Sequence, residues 1–336
     1  MNKSASMFMV GLVVGALLST LGFAYFLKIQ GSGTLGQTVL KLGHSQDTGH
    51  PVHRAMEHMK SRLEELSGGR VTIDIYSGSV LGNENQCIEQ LQNGSLAMTK
   101  TSAAAIENFI PIMSVYSMPY LFRDSDHYWA VLEGDIGKNL LESGKSKFLR
   151  GLCYYDAGSR NFYTKNKPIK TPDDLKGMKI RVMNSRTAVK MVEAMGGSAT
   201  PISFGELYSA LSQGIVDGAE NNPPSFTSSK HSEVCKHFSL DGHTRVPDIL
   251  MMSTKVWDNL DPHVQGWVSQ AANDSATFQR KLWEEKTQES LEAARQADVT
   301  IYEVDTAAFA KKVAPMFAEI EDAETRNLAK QIQEVR

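Results

Sequence analysis

Strand-like and helix-like sequence patterns alternate along most of this 336-residue chain. Val71, Ile73 and Ile75 alternate with polar residues, which is the period of a strand with one buried face. The segment before them, 51–66, repeats its apolar residues at helical spacing, and Pro51 stands where a helix start accepts proline. Such alternation predicts an α/β fold, in which helices cross over a sheet between its strands.

The same alternation returns in the middle of the chain. The segments 148–154, 161–164, 178–182 and 215–218 are predicted strands. A helix is predicted to open at Ser203, between the last two of them. We therefore expect a second α/β unit after the first.

A long helical pattern begins at Asp261-Pro262 and continues without a break to about Ala297. Its predicted buried face consists of Val264, Trp267, Val268, Ala271 and Phe278. An average helix has about 11 residues, so one small unit cannot bury a helix of this length. We expect it to contact both units; a coiled coil is the weaker alternative, because no strict heptad persists.

The N-terminus carries Lys3, an apolar run from Met7 to Leu27, and then Lys28. A basic start followed by an apolar core is typical of a secretory signal, and about 20 apolar residues can also cross a bilayer. No clean cleavage site follows, so residues 1–37 are predicted to be an uncleaved signal-anchor and linker, with a cleaved signal as the alternative. In both cases the body from about residue 38 onward is predicted to be periplasmic.

Several function classes find no support in the sequence. The formal net charge of −3 gives no general attraction to nucleic acid or to anionic lipid. There is no HExxH, GxSxG or P-loop pattern, and residues 31–36 match GxGxxG without a strand before them. Cys87, Cys153 and Cys235 form no CxxC pair and are predicted to be buried thiols. We therefore predict no catalytic residues and no cofactor.

Four histidines, His44, His50, His53 and His58, surround the start of the first predicted helix. No carboxylate stands beside them at a metal-ligand spacing, so no metal site is predicted. His53 and His58 are interpreted as mostly solvated surface residues. His50 lies at the turn between a strand and a helix, and we expect it to face a ligand cleft, because open α/β sheets bind ligands beyond the carboxyl ends of their strands.

Other polar residues also stand where predicted strands begin or end. They are Glu84, Arg160, Arg181, Asn184, Asn221 and Asn222. Arg181 lies inside the otherwise apolar strand Met-Lys-Ile-Arg-Val and needs an anionic partner, because a guanidinium removed from water is costly unless it is paired. That partner is either a ligand anion or an internal Asp or Glu. Arg160 follows Gly-Ser in a turn, and its alternative interpretation is a solvated loop residue.

Around these residues the chain resembles the solute-binding subunits of tripartite ATP-independent periplasmic (TRAP) transporters, from about residue 41 to 320. Four stretches carry the resemblance, and their combination is highly specific. They are Gly-Gly-Arg-Val-Thr-Ile at 68–73 with Leu81-Gly82, Met-Pro-Tyr-Leu-Phe-Arg at 118–123, residues 157–160 with 171–182, and Glu206–Leu211 with 216–224.

The resemblance implies roles for individual residues. Arg181 matches the strand arginine that forms a two-pronged salt bridge with the ligand carboxylate, a geometry that lysine cannot reproduce. Arg160 matches a turn arginine that adds a second donor. Asn184 and Asn221 match positions of further polar contacts, and Asn222 stands beside the second of them.

Two more residues acquire roles in the same way. Phe204 matches an aromatic residue that packs against the carbon skeleton of the ligand, and Glu84 lies near a position that accepts hydrogen bonds from ligand hydroxyls. Residues 219–225, His231 and 239–243 resemble members that bind sugar acids such as glucuronate and galacturonate.

The resemblance also implies an α/β, two-lobed periplasmic-binding-protein-like fold, with a hinge and a long helix that spans both lobes. Residues 38–157, with about 246–285, are predicted to form lobe I. Residues 158–245, with about 286–336, are predicted to form lobe II.

Taken with the residues, this predicts a monomer that captures a small carboxylate, expected to be a hexuronate, and delivers it to the membrane permease of a TRAP transporter. An enzyme is disfavoured, because no residues stand in nucleophile–base register. A ligand-sensing subunit for a signalling partner and a binder of another carboxylate, such as a C4-dicarboxylate, remain alternatives.

Overall fold

The computed structural model describes residues 37–336, which contain eleven strands and thirteen α-helices. The strands are β1 (Thr38–Gly43), β2 (Val71–Tyr76), β3 (Met98–Ser102), β4 (Leu149–Tyr155), β5 (Arg160–Thr164), β6 (Lys179–Val182), β7 (Ser198–Pro201), β8 (Gly218–Asn221), β9 (His237–Thr244), β10 (Asp248–Ser253) and β11 (Thr300–Glu303). The helices are α1 (Pro51–Ser67), α2 (Glu84–Asn93), α3 (Ala103–Ile106), α4 (Ser125–Glu133), α5 (Asp135–Glu142), α6 (Arg186–Ala194), α7 (Phe204–Ser212), α8 (Pro223–Ser228), α9 (His231–Val234), α10 (Thr254–Trp257), α11 (Pro262–Gln296), α12 (Thr306–Val313) and α13 (Ala323–Glu334). Short 3-10 helices cover Pro111–Ser117, Lys145–Lys147, Pro172–Leu175 and Ala314–Phe317.

The strands form two separate sheets, each of which is the centre of one lobe. The first sheet has the order β2–β1–β3–β10–β4, with β1 and β3 parallel and β10 antiparallel to both of its neighbours. The second has the order β11–β9–β5–β8–β6–β7, with β6 parallel to β7 and β8 and β5 antiparallel to β8 and β9. The predicted α/β fold with two units is confirmed.

The chain passes between the sheets at two short crossings. It leaves the first sheet after Tyr155 and enters the second at Arg160, and it returns between Thr244 and Asp248. These crossings stand near the predicted lobe boundaries, which themselves stay a prediction. The C-terminal helix α13 packs against the 3-10 helix Pro111–Ser117, a segment that the prediction assigned to lobe I although it placed α13 in lobe II.

The long helix α11 braces both lobes, as predicted. Asp261 caps its start by accepting a hydrogen bond from the backbone nitrogen of His263 at 2.8 Å, and Pro262 occupies the first turn. The helix has 35 residues and is therefore roughly 50 Å long. It packs against α1 and β4 on the side of the first sheet and against α8 and β11 on the side of the second.

Helix α1 begins and ends where the sequence indicates. His50 caps its start through Nδ1, which accepts from the backbone nitrogen of Val52 at 3.2 Å. Gly68 ends it with φ of 60°, a left-handed conformation that glycine adopts without strain. Its buried face, with Met56 and Leu63, packs in the core of the first lobe.

Two local predictions were wrong. Strand β8 begins at Gly218 rather than at Ile215, which is 52% exposed and belongs to the turn after α7. Phe278 is 38% exposed and stacks on His58 instead of entering the core. In both cases an apolar residue lies at the surface, which a hydrophobic pattern cannot distinguish from a buried position.

Candidate ligand-binding site

Two small adjoining cavities lie between the lobes. Their volumes are about 30 and 20 Å³. The larger is lined by Ser45, Gln46, Glu84, Lys100, Ser102 and Asp248 from the first lobe, by Arg160, Arg181, Met183, Phe204, Asn221, Asn222 and Ser225 from the second, and by Ala157 and Val246. Pockets for small molecules usually measure about 300–1,000 Å³, so a ligand of that size can enter only when the two walls move apart. Two larger surface grooves, of about 620 and 570 Å³, contain none of the predicted site residues.

Arg181 projects into both cavities from the middle of β6. Its neighbours Ile180 and Val182 are fully buried on the opposite face of the strand, because successive side chains alternate between faces. Arg181 itself is 2% exposed, and its Nε donates to the backbone oxygen of Ile202 at 2.8 Å. Within residues 37–336, Nη1 has no hydrogen-bond partner and no carboxylate forms an ion pair with the guanidinium. An internal salt bridge therefore does not explain this buried arginine.

The surroundings of Arg181 disfavour its charged form. Burial lowers the pKa of Arg181; the charge of Glu220 opposes this shift, and the charge of Arg160 adds to it. The ring of Phe204 lies 5.9 Å from the guanidinium carbon and covers one side of it. A guanidinium in this position can donate two parallel hydrogen bonds to one carboxylate.

Arg160 stands in a different environment. It is the first residue of β5, is 5% exposed, and is not the solvated loop residue of the alternative interpretation. Its guanidinium forms a buried salt bridge with Glu220 of β8, and Nη2 donates to the backbone oxygen of Glu220 at 2.8 Å. Nη1 donates to Oδ1 of Asn221 at 3.0 Å. Arg160 is thus held in the cavity wall by protein groups before any ligand arrives.

The salt bridge continues into a buried chain of charges that the sequence did not reveal. His243 of β9 lies between two carboxylates, with Nδ1 2.6 Å from Oδ2 of Asp241 and Nε2 3.4 Å from Oε2 of Glu220. Burial alone would lower the pKa of His243, but the charge of Asp241 and the hydrogen bonds raise it to about 9. Burial alone would likewise raise the pKa of Glu220, but Arg160 and His243 lower it to about 2. Arg160, Glu220 and His243 are therefore ionised at neutral pH.

The neighbouring pair Asn221 and Asn222 joins β8 to α8. Oδ1 of Asn221 accepts from Arg160 and from the backbone nitrogen of Asn222, the latter at 2.9 Å. Asn222 caps α8, because its Oδ1 accepts from the backbone nitrogen of Ser225 at 2.8 Å. Both asparagines are 3% exposed and line the larger cavity.

Three further predicted residues lie at the edge of the site. Oε1 of Glu84 accepts from the backbone nitrogen of Ser102 at 2.9 Å, and its side chain lines both cavities. Phe204 lines both as well, whereas Asn184 lines only the smaller one and is exposed. The backbone oxygen of Asn184 accepts from Nδ2 of Asn108 at 2.6 Å, which is a contact between elements of the two lobes.

The structure does not place His50 in the lining of either cavity. Since Nδ1 of His50 accepts from Val52, its Nε2 is the donor to Oγ of Ser225, 3.1 Å away on α8. Burial, together with the charge of Lys100, keeps its pKa well below the usual range. His50 therefore joins α1 to α8 behind the cavity wall.

The prediction for His53 was wrong, and the one for His58 only partly right. His53 is 7% exposed and its Nδ1 lies 3.0 Å from Nε2 of His44, whereas His58 is half-buried under Phe278. His53 faces inward because it is on the same side of α1 as the buried Met56. In the described part of the chain, no three or more His, Cys, Asp or Glu side chains are grouped so that they could hold a metal ion.

Lys100 and Asp248 are the main site residues that the sequence did not indicate. Both line the larger cavity from the first sheet, on β3 and β10, and they form a buried ion pair. A signal existed for Lys100, since it is a charged residue inside a strand like Arg181. This signal is weak, because the flanking residues Thr99 and Thr101 are polar and do not identify the strand as buried.

The predicted signal-anchor, residues 1–37, lies outside the described residues apart from Gln37. No helix between residues 37 and 336 combines the length and apolar character that a bilayer crossing requires.

Solved structures with this fold include three that resemble the chain closely. A TRAP periplasmic solute-binding protein of Bradyrhizobium, solved with galacturonate, is 37% identical, with a TM-score of 0.85 over 88% of this chain and 99% of that one. Its counterpart from Anaerococcus prevotii, solved with glucuronate, is 34% identical, with a TM-score of 0.87 over 89% and 98%. A third, from Polaromonas, was solved with D-erythronate and is 32% identical, with a TM-score of 0.87 over 89% and 99%.

The fold, with its cleft and buried arginine, defines an extracytoplasmic solute-binding protein. The sequence profile described as "Bacterial extracellular solute-binding protein, family 7" matches residues 42–324, and the chain belongs to this DctP family of TRAP solute-binding proteins. The family consists of substrate-binding proteins of transport systems rather than of enzymes, and its TRAP members bind small carboxylates and work with a TRAP permease.

Proposed function

We propose that this protein captures a hexuronate between its lobes and delivers it to a TRAP permease. The observation that carries the proposal is the buried guanidinium of Arg181, whose Nη1 has no partner among residues 37–336. A ligand carboxylate at Arg181 supplies the missing charge and two hydrogen bonds at once.

The other side chains of the cavity favour a ligand with one carboxylate and several hydroxyls. Arg160 is neutralised by Glu220, and Lys100 by Asp248, so Arg181 is the cation left for an anion in the larger cavity. The carboxylate of Glu84 on the same wall accepts hydrogen bonds from hydroxyls and repels a second ligand carboxylate. The C4-dicarboxylate alternative is disfavoured for this reason.

The neighbouring structures supply the ligand class. Those of Bradyrhizobium and Anaerococcus prevotii were solved with galacturonate and glucuronate, which are hydroxylated monocarboxylates of the kind that the cavity favours. The neighbour solved with D-erythronate keeps a shorter sugar acid as the second candidate.

In this proposal Arg181 anchors the carboxylate, assisted by Arg160, and Glu84, Asn184, Asn221 and Asn222 bind ring hydroxyls. Phe204 packs against the carbon skeleton, and His50 supports the wall through Ser225. The lobes are bounded by the two crossings between the sheets and close over the ligand by rotation about them. The protein works as a monomer.

Ligand class is tested by a thermal-shift screen of the body, residues 38–336. Glucuronate and galacturonate are expected to raise the melting temperature more than D-erythronate, succinate, sialic acid or ectoine. A ligand at 100 times its Kd stabilises by about 2.7 kcal/mol. A screen in which succinate stabilises and the uronates do not would overturn the proposal, and a larger shift with D-erythronate would replace hexuronate by the shorter acid.

The apolar run from Met7 to Leu27 supports a further proposal, that the protein is tethered to the inner membrane. Full-length protein should fractionate with membranes, and removal of residues 1–36 should release a soluble body that still binds ligand. Mature periplasmic protein that begins near residue 30 would show that the run is a cleaved signal.

A further inference from the structure

Lys100 and Asp248 form a buried ion pair in the wall of the larger cavity. Nζ of Lys100 lies 3.0 Å from Oδ2 of Asp248, and the two side chains are 1% and 10% exposed. They stand on the neighbouring strands β3 and β10, where Lys100 is opposite Leu250, so that Asp248 is its diagonal neighbour. The pair belongs to the first lobe, whereas Arg181 belongs to the second.

Fold stability gives little reason for such a pair. Replacement of a buried ion pair by apolar residues of similar volume is often neutral or stabilising, because desolvation of both charges offsets their attraction. Asp248 is the acceptor that Lys100 Nζ meets in residues 37–336, and an ammonium group has three donor hydrogens. The pair thus presents a donor and an acceptor side by side to the cavity.

We propose that Lys100 and Asp248 are a specificity-determining pair that binds two adjacent hydroxyls of the ligand. One hydroxyl oxygen accepts from the ammonium of Lys100, and the neighbouring hydroxyl donates to the carboxylate of Asp248. A carboxylate has no hydrogen to donate and is repelled by Asp248, so the pair accepts the hydroxylated part of a sugar acid and rejects a second acidic group. The inference rests on the proposed function, because it assigns the part of the ligand that Arg181 does not hold.

The deciding variant removes both charges together, as Lys100→Met/Asp248→Leu, so that neither is left buried and unpaired. Its affinity is measured by calorimetry for galacturonate and for tetrahydropyran-2-carboxylate, which keeps the ring and the carboxylate but has no hydroxyls. Two hydrogen bonds to charged groups are worth roughly 100-fold in affinity. We expect galacturonate to lose about that factor, while the hydroxyl-free acid keeps its affinity within about threefold, since Arg181 is untouched.

The matched control is Arg62→Met/Asp274→Leu. It removes a part-buried pair of similar geometry, 3.0 Å between Nε and Oδ2, that joins α1 to α11 outside the cavities. Its galacturonate affinity should stay within about twofold of wild type.

Each outcome is decisive. An unchanged galacturonate affinity in the cavity variant would overturn the inference and leave the proposed function standing. Equal losses for both acids would show that the pair has only a structural role. A wild type that binds neither glucuronate nor galacturonate would remove the proposed function and this inference with it.

A second measurement needs no variant and covers the case in which the double variant does not fold. Wild-type protein is titrated with monodeoxy galacturonates, each lacking one hydroxyl. Two adjacent positions should account for the largest losses, and losses spread evenly over all positions would contradict recognition by one pair.

Discussion

Glu220 pairs with Arg160 and not with Arg181, although β8, which carries Glu220, lies between the strands of both arginines. Nη2 of Arg160 donates to Oε1 of Glu220 at 3.0 Å and to its backbone oxygen at 2.8 Å. Arg181 pairs in register with Ala219, one residue earlier, and neighbouring residues of a strand point to opposite faces. Arg160 is therefore neutralised by a protein carboxylate, whereas Arg181 has no carboxylate partner among residues 37–336.

Arg181 should be required for binding but not for folding. In Arg181→Ala and Arg181→Lys, affinity for galacturonate is expected to fall by about 30- to several-thousand-fold, because loss of one partner of a desolvated charge pair costs roughly 2–5 kcal/mol. Lysine keeps the charge but cannot donate two parallel hydrogen bonds to one carboxylate, as the planar guanidinium does. Unfolding in the absence of ligand should change little, since the lost hydrogen bond to Ile202 is offset by removal of an unpaired buried charge.

Calorimetry measures the galacturonate affinity, and chemical denaturation of the same samples measures the free energy of unfolding without ligand. Lys179→Ala, an exposed position on the same strand, is the control and should change neither quantity. Near wild-type affinity in Arg181→Ala would contradict the role of this residue as the carboxylate anchor.

Arg160, unlike Arg181, should be required for folding. Arg160→Met removes the guanidinium that pairs with the buried Glu220, and the loss of one partner of a buried ion pair costs roughly 3–5 kcal/mol of folding free energy. The double variant Arg160→Met/Glu220→Gln removes both charges and should recover part of that loss. Urea denaturation of the ligand-free protein measures it, with Arg280→Met, from the exposed pair with Glu133, as a control expected to lose less than about 1 kcal/mol. Equal stability in the single and double variants would show that Glu220 does not need Arg160.

His243 should make folding stability fall in mild alkali. Its pKa is about 9 in the folded protein and 6.5 when unperturbed, so the folded state binds the proton more tightly. The contribution of protonated His243 to the free energy of unfolding is fully present below pH 6.5 and is lost as the pH rises through 9. The loss is on the order of 3 kcal/mol.

This contribution is isolated by comparison with His243→Asn. The variant is less stable at pH 7, because Asp241 and Glu220 lose their cation, but the difference from wild type should shrink between pH 7 and pH 9.5. His263→Asn, at an exposed position, should retain the wild-type pH profile. A difference between wild type and His243→Asn that stays constant with pH would mean that His243 is not charged in the fold.

The parts of the site that the sequence predicts are those with a local signal. Arg181 is a charged residue inside an apolar strand. The helix from Asp261 to about Ala297 has apolar residues that recur at helical spacing without a break. The structure has both elements at the predicted places. Local periodicity needs no knowledge of which elements are neighbours in space, which explains why it succeeds here.

The network around Arg160 has no such signal. Its members come from β5, β8 and β9, whose neighbour relationships arise from the order of strands in the sheet. The sequence places His243 in a stretch that resembles sugar-acid binders but gives no sign of its ion pairs, which exist because Asp241 and Glu220 lie on both sides of it in the fold. Contacts between residues far apart in the chain decide that part of the site, and one sequence does not reveal them.

The crossing between β4 and β5 should tolerate no side chain at Gly158. Its φ is +56°, where a residue with a Cβ is strained by roughly 1–2 kcal/mol. A Cβ there would also lie 2.9 Å from Nε1 of Trp283 on α11, so the helix or the crossing would have to shift. Gly158→Ala should therefore lower the free energy of unfolding by more than about 1 kcal/mol and should weaken galacturonate binding, since Arg160 follows two residues later.

The matched control is Gly266→Ala, inside α11. A Cβ there meets nothing within 4 Å and alanine is the better helix former, so that the free energy of unfolding should rise by about 0.5–1 kcal/mol. If both substitutions change stability in the same direction, the close contact between the crossing and Trp283 does not constrain the protein in solution.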